Sequence, residues 1–105
     1  MVEYREERRS DDVCVLSVEG ELDLAAVAEF REHALACLDA AGGLELDLHG
    51  VSFIDSSGLA GLVRVRKEAD LTGKSLSLVN VSRATRRLLE ITGLENAFDI
   101  RPAHD

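Results

Sequence analysis

Proline is nearly absent from this sequence of 105 residues: there is one, Pro102, against eight glycines and no repeated segment. Collagen-like, proline-rich and solenoid architectures are therefore excluded. No apolar run exceeds a few residues, so no transmembrane helix is expected. The first ten residues carry Glu3, Arg5, Glu6, Glu7, Arg8 and Arg9 and lack the apolar stretch of a secretory signal, which makes the cytoplasm the expected compartment. Basic residues are the minority charge, with 12 Lys and Arg against 20 Asp and Glu and a net charge of −8. The first 55 residues hold 14 acids and 4 bases (net −10), and the rest 6 acids and 8 bases (net +2). A DNA or RNA partner requires a basic face that releases counterions, so no direct nucleic-acid contact is expected. The cluster Arg83, Arg86 and Arg87 reads as a solvated helix face.

The usual chemical centres are missing too. His33, His49 and His104 are scattered and make no metal-ligand spacing, so no metal is expected. Thr72-Gly73-Lys74-Ser75 looks like the end of a P-loop, but the required earlier glycine is Glu68 and the strand–loop–helix order is reversed. Neither Ser56 nor Ser57 lies in a G-x-S-x-G elbow, and no histidine is placed to activate them. Asn80-Val81-Ser82 fits a glycosylation sequon that a cytoplasmic chain does not use. The two cysteines, Cys14 and Cys37, allow one disulfide by count. Both sit in apolar patterns and, without an export signal, are expected as reduced thiols in the core.

What is present is a regular alternation of elements. The length suits a single domain, residues 1–105, fraying at about 101–105. Residues 12–19 are β-branched and apolar and end at Gly20, as a strand does. The charged residues 2–9 suit an edge strand paired to it through a turn at Ser10-Asp11-Asp12. From Asp23 to Ala41 the inward positions Val27, Phe30, Ala34, Leu38 and Ala41 follow a helical period, with Gly42-Gly43 as the expected stop. Leu44-Glu45-Leu46-Asp47-Leu48 alternates strictly, which predicts a strand with one face buried and its acids in water. A short apolar approach, 51–54, leads to a second helix with Leu59, Leu62, Val63 and Ala69 inward. On its outer side Arg64–Glu68 and Arg66–Asp70 are spaced as ion pairs, and Thr72-Gly73 ends it. Leu76 and Leu78 mark another strand. Ser82 caps a third helix bearing Leu88, Leu89 and Ile91 and ended by Gly93, and residues 97–100 form a last strand. The order β-β-α-β-α-β-α-β predicts an α/β fold: a mixed sheet with an antiparallel N-terminal edge, otherwise mostly parallel.

One constellation stands out: Asp55-Ser56-Ser57-Gly58-Leu59, where a loop becomes the second helix. Asp and Ser are good N-caps, and capping alone accounts for part of the pattern. The helix N-terminus also tolerates an anion, so a serine there can carry a phosphoryl group. The run Val51-Ser52-Phe53-Ile54-Asp55-Ser56-Ser57-Gly58-Leu59 resembles the signature of the anti-sigma factor antagonists, bacterial members of the STAS domain family. Gly20-Glu21-Leu22-Asp23 is similar to that family's second hallmark, and Arg87-Leu88-Leu89-Glu90-Ile91-Thr92-Gly93-Leu94 to its last-helix pattern.

The resemblance implies a STAS-like domain with its helices mainly on one face of the sheet. It implies a regulatory protein and not an enzyme, with no cofactor of its own. The dephospho form binds an anti-sigma factor that is also a serine kinase, and a sigma factor is released. Phosphorylation at the serine after the signature aspartate, here Ser56, ends the interaction, and a PP2C-type phosphatase resets it. Asp23, Asp55, Ser56, Ser57, Gly58 and Leu59 make up the implied switch surface, with Ser57 as a second hydroxyl nearby. The alternative within the family is a docking subunit of a signalling scaffold or lipid-transport complex that is never phosphorylated. Ala60 stands where the family often has glycine.

Overall fold

The computed structural model describes residues 1–102. In chain order the elements are β1 (Glu3–Arg8), β2 (Val13–Leu22), α1 (Val27–Asp39), β3 (Gly43–Ile54), α2 (Ser56–Leu71), β4 (Ser75–Val79), α3 (Arg83–Thr92) and β5 (Asp99–Arg101), with a 3-10 turn at Glu95–Ala97 before the last strand. The five strands lie in sequence order, β1-β2-β3-β4-β5. β1 and β2 are antiparallel, and every later pairing is parallel. Because each crossover steps to the next strand in the same direction with the same hand, α1, α2 and α3 all fall on one face of the sheet.

That face is the core. Cys14, Leu16, Val18 and Leu22 from β2 meet Leu44, Leu46, Leu48, Val51 and Ile54 from β3, and Phe30, Ala34 and Leu38 of α1 cover them. Leu59, Leu62, Val65 and Ala69 of α2 and Leu89 of α3 complete it. Burial of side chains this size contributes roughly 1.5–3 kcal/mol each, which is why leucine alternates so strictly from 44 to 48. Local signals act as expected at several ends. Ser82 accepts the Thr85 amide at 3.3 Å at the start of α3. Gly93, at φ 72°, closes it with the Leu94 amide donating back to the Leu89 carbonyl at 2.8 Å.

Other expectations are corrected. α1 starts at Val27 and not Asp23, because residues 23–26 form a turn in which the Asp23 carbonyl accepts from Ala26 and Val27 at 3.1 and 3.0 Å. Its end is Ala40 in right-handed geometry, and Gly42-Gly43 is not a left-handed stop: Gly43 already opens β3. β3 is continuous from 43 to 54, so the 51–54 approach is part of the same strand. On α2, Val65 is buried and Val63 only half-buried. Arg66–Asp70 is formed at 3.6 Å, and no Arg64–Glu68 bridge occurs among the described residues. On α3, Thr85 and Leu89 point inward and Ile91 is exposed, because an anchor pair four residues apart turns Ile91 outward. The last strand is Asp99–Arg101 and not 97–100; Arg101 pairs with Val79, so the tail is held at 101. The remainder of the expected frayed tail, 103–105 with His104, lies outside the described residues.

Two corrections concern chemistry. Glu45 does not face water. It is 4% exposed, because Arg9 from the β1–β2 turn lies over the helix-free face and its Nη1 donates to both Glu45 oxygens at 3.0 Å. Cys14 and Cys37 are buried as expected but not reduced: they are joined as a disulfide, with Cα atoms 5.6 Å apart. The pairing of α1 over β2 brings the two side chains together across 23 residues of sequence, which spacing alone did not reveal.

Candidate functional site

Leu22 and Ile54 are register partners at the carboxyl ends of β2 and β3. The residues that follow, Asp23 and Asp55, therefore leave the sheet from neighbouring strand ends. Loops at the carboxyl ends of parallel strands are where α/β folds commonly place their functional groups. The Asp55 amide donates to the Leu22 carbonyl at 3.5 Å, which ties the two loops together.

Asp55 is the N-cap of α2, in extended geometry. Its Oδ1 accepts the Ser57 amide at 2.9 Å and the Gly58 amide at 3.0 Å. Two of the amides that the start of a helix leaves without an intrahelical partner are thus satisfied by one oxygen. Ser56 is the first residue of the helix. It is exposed, and among the described residues nothing hydrogen-bonds its hydroxyl or its amide. Ser57 is half-buried. The Asp23 Oδ1 accepts the Ala26 amide at 3.1 Å and so shapes its own turn.

Gly58 and Leu59 are buried. They support the surface from beneath and do not present it. A Cβ on Gly58 would run into the carbonyl oxygen of Leu22 and lie 2.9 Å from Cγ1 of Ile54. Only glycine lets the first turn of α2 rest against the β2–α1 loop. Ala60, by contrast, is exposed. Its methyl points to solvent and leaves that packing untouched.

Sequence reasoning missed two apolar neighbours. Leu24, next to Asp23, is 73% exposed, and Phe53, two residues before Asp55, is 50% exposed. Phe53 is turned outward by a bulge. Gly20 pairs with Val51 and Glu21 with Phe53, so Ser52 is an extra residue with no counterpart on β2. The available signal was the three-residue step between the buried positions Val51 and Ile54, which no simple strand period allows.

Fold and site together describe a small α/β domain that presents a serine hydroxyl at a helix N-terminus beside its capping aspartate, with Asp23 on the loop from the neighbouring strand end. The family model for the STAS domain matches residues 4–105, and the chain belongs to the STAS domain family. It is 31% identical over 93 residues to the anti-sigma-B factor antagonist of Bacillus subtilis, a match that covers 89% of this chain and 85% of that protein. An anti-sigma factor antagonist from Mycobacterium paratuberculosis has a crystal structure similar to this one at a TM-score of 0.86, with 28% identity, over 98% of this chain and 87% of that one. The Bacillus cell fate determinant SpoIIAA in its phosphorylated form shares the fold at a TM-score of 0.75 and 23% identity, over 98% of this chain and 93% of that one. The family resemblance drawn from the three motifs is thus borne out, as is the mixed sheet with its antiparallel first strand. Among the described residues no helix is long and apolar enough to cross a membrane.

Proposed function

We propose that this chain, acting as one domain over residues 1–105, is an anti-sigma factor antagonist of the cytoplasm switched by phosphorylation of Ser56. The dephospho form binds an anti-sigma factor with serine kinase activity and thereby releases a sigma factor. A PP2C-type phosphatase returns the phosphoprotein to the binding state. The chain is substrate and partner, not enzyme; the nucleotide and its metal belong to the kinase.

The observation that carries this reading is the state of Ser56: exposed, at the first position of α2, with no hydrogen bond to its hydroxyl among the described residues. A kinase can reach that oxygen without unfolding anything. Ser57 is less accessible, and its amide is already engaged by Asp55. The relatives support the same reading, since they are named anti-sigma factor antagonists and SpoIIAA has been seen phosphorylated.

The geometry supports a switch that needs no change of fold. A phosphoryl group brings about −1.5 to −2 charges. The positive end of the helix dipole tolerates it, and the Ser56 amide stands ready to donate. Asp55 already holds the next two amides, so the remaining phosphate oxygens face outward beside the Asp23 and Asp55 loops. Added negative charge and bulk there oppose docking of a partner that used the bare hydroxyl and the apolar Leu24 and Phe53. A loss of about 3 kcal/mol at the interface weakens binding more than a hundredfold.

The test is phosphorylation of the full chain by its partner kinase, captured from the source cells, with the site mapped by mass spectrometry. Ser56→Ala is expected to abolish incorporation and Ser57→Ala to retain it. Equal labelling of Ser56→Ala overturns the site. If protein from source cells carries no phosphoserine in any growth state, the chain is instead a fixed docking subunit.

A further inference from the structure

Far from Ser56, the Cys14–Cys37 pair has a role that no switch requires. We propose that these cysteines form a redox-controlled staple between β2 and α1 that sets the stability of the domain, made by exchange with a small-molecule disulfide such as oxidised glutathione. This inference does not rest on the reading of Ser56.

The backbone already holds the two positions for bonding, with a Cα separation of 5.6 Å inside the range that a disulfide spans. Both side chains lie in the core, at 1% and 0% exposure, so forming the bond exposes no new surface. The ring it closes contains the rest of β2, the Asp23 turn and most of α1. Cross-linking over 23 residues removes much of the freedom those elements gain on unfolding.

The surroundings favour a bond that persists once made. The Glu6 carboxylate, on the edge strand β1, comes within 4.8 Å of both sulfurs. Burial and that negative charge both hinder an incoming thiolate, the species that attacks a disulfide. An external thiolate must approach past the same charge and beneath β1. Exchange in either direction therefore follows opening of the edge strand.

The chemistry balances. One cysteine thiolate attacks a sulfur of oxidised glutathione and expels one glutathione thiolate, leaving a mixed disulfide. The other cysteine displaces the second glutathione and closes the Cys14–Cys37 bond. Each cysteine gives up one proton, and the two electrons leave with two molecules of glutathione.

The staple and the switch sit at opposite ends of α1. Cys37 is ten residues beyond Val27, on the order of 15 Å along the helix at its ordinary rise. Oxidation should therefore change stability while leaving Ser56 equally accessible.

The experiment starts from the full chain, reduced with dithiothreitol and desalted. It is then incubated with oxidised glutathione, denatured in acid, alkylated and weighed. The expected product has lost two hydrogens, takes no alkyl group and carries no glutathione. It should melt on the order of 10 °C above the same chain kept reduced. The Cys14→Ala/Cys37→Ala variant should melt alike in both conditions. Two alkyl groups or two glutathione adducts after oxidation overturn the proposal, as does an equal melting temperature for oxidised and reduced wild type. Should the double variant fail to fold, the wild-type pair alone decides.

Discussion

Leu22 lies opposite Ile54 in the parallel ladder of β2 and β3, and this one pairing aligns the two loops that carry Asp23 and Asp55. The Leu22 carbonyl does two further things. It accepts the Asp55 amide, and it leaves room at Gly58 for nothing larger than hydrogen. Strand register and the entry into α2 thus meet at the same residue.

Asp55 has a structural duty that can be separated from any role in signalling. Replacement by alanine removes the acceptor for two amides and should lower stability by about 1 kcal/mol. Asn caps nearly as well, so Asp55→Asn should hold the melting temperature while removing one negative charge from the surface. Denaturant unfolding of the two variants, alongside partner affinity, tells capping from charge. Equal stability of Asp55→Ala and wild type would count against the cap.

Gly58→Ala should do more damage. The new methyl meets a backbone carbonyl, which cannot rotate away, so α2 must shift from the β2–α1 loop. Overpacking of this kind costs roughly 1–3 kcal/mol. Ala60→Gly, two residues along on the exposed side, should cost only about the 1 kcal/mol of helix propensity. Urea titration of both should rank them in that order and show partner binding impaired more by Gly58→Ala.

Phe53 is a candidate anchor for the partner. A half-exposed phenylalanine three residues before Ser56 in the chain offers apolar area that folding does not use. Phe53→Ala should leave the melting temperature within a few degrees of wild type. It should weaken binding of the anti-sigma factor by about tenfold, or about 1.4 kcal/mol. Calorimetry of the complex checks it, and unchanged affinity removes Phe53 from the interface.

Tyr4 gives a prediction in pH. It stacks on His33 at 4.0 Å between ring centroids. Burial, with a further contribution from Glu29, pushes its hydroxyl pKa up to about 12 from the usual 10.0. The folded chain therefore keeps the phenol neutral where the unfolded chain ionises it. The stabilisation is fully present below pH 10 and is lost as pH rises towards 12. Ultraviolet titration should show a midpoint near 12 in folded protein, and Tyr4→Phe should flatten the alkaline loss of stability.

Much of this protein was legible in the linear order of its residues. The alternation of Leu44, Leu46 and Leu48, the caps at Asp55 and Ser82, the stops at Gly73 and Gly93, and the three family motifs all depend on neighbours within a few positions, where backbone geometry alone decides. Distance in sequence hid the relations that matter most. The bulge at Ser52 that turns Phe53 outward exists only against β2, and Arg9 covers Glu45 only because the first turn folds back over the sheet. Cys14 meets Cys37 only when α1 lies across β2. Each is a relation between residues more than twenty apart. Hydrogen-bond register and helix packing set such relations jointly, and no local pattern of residue types encodes them.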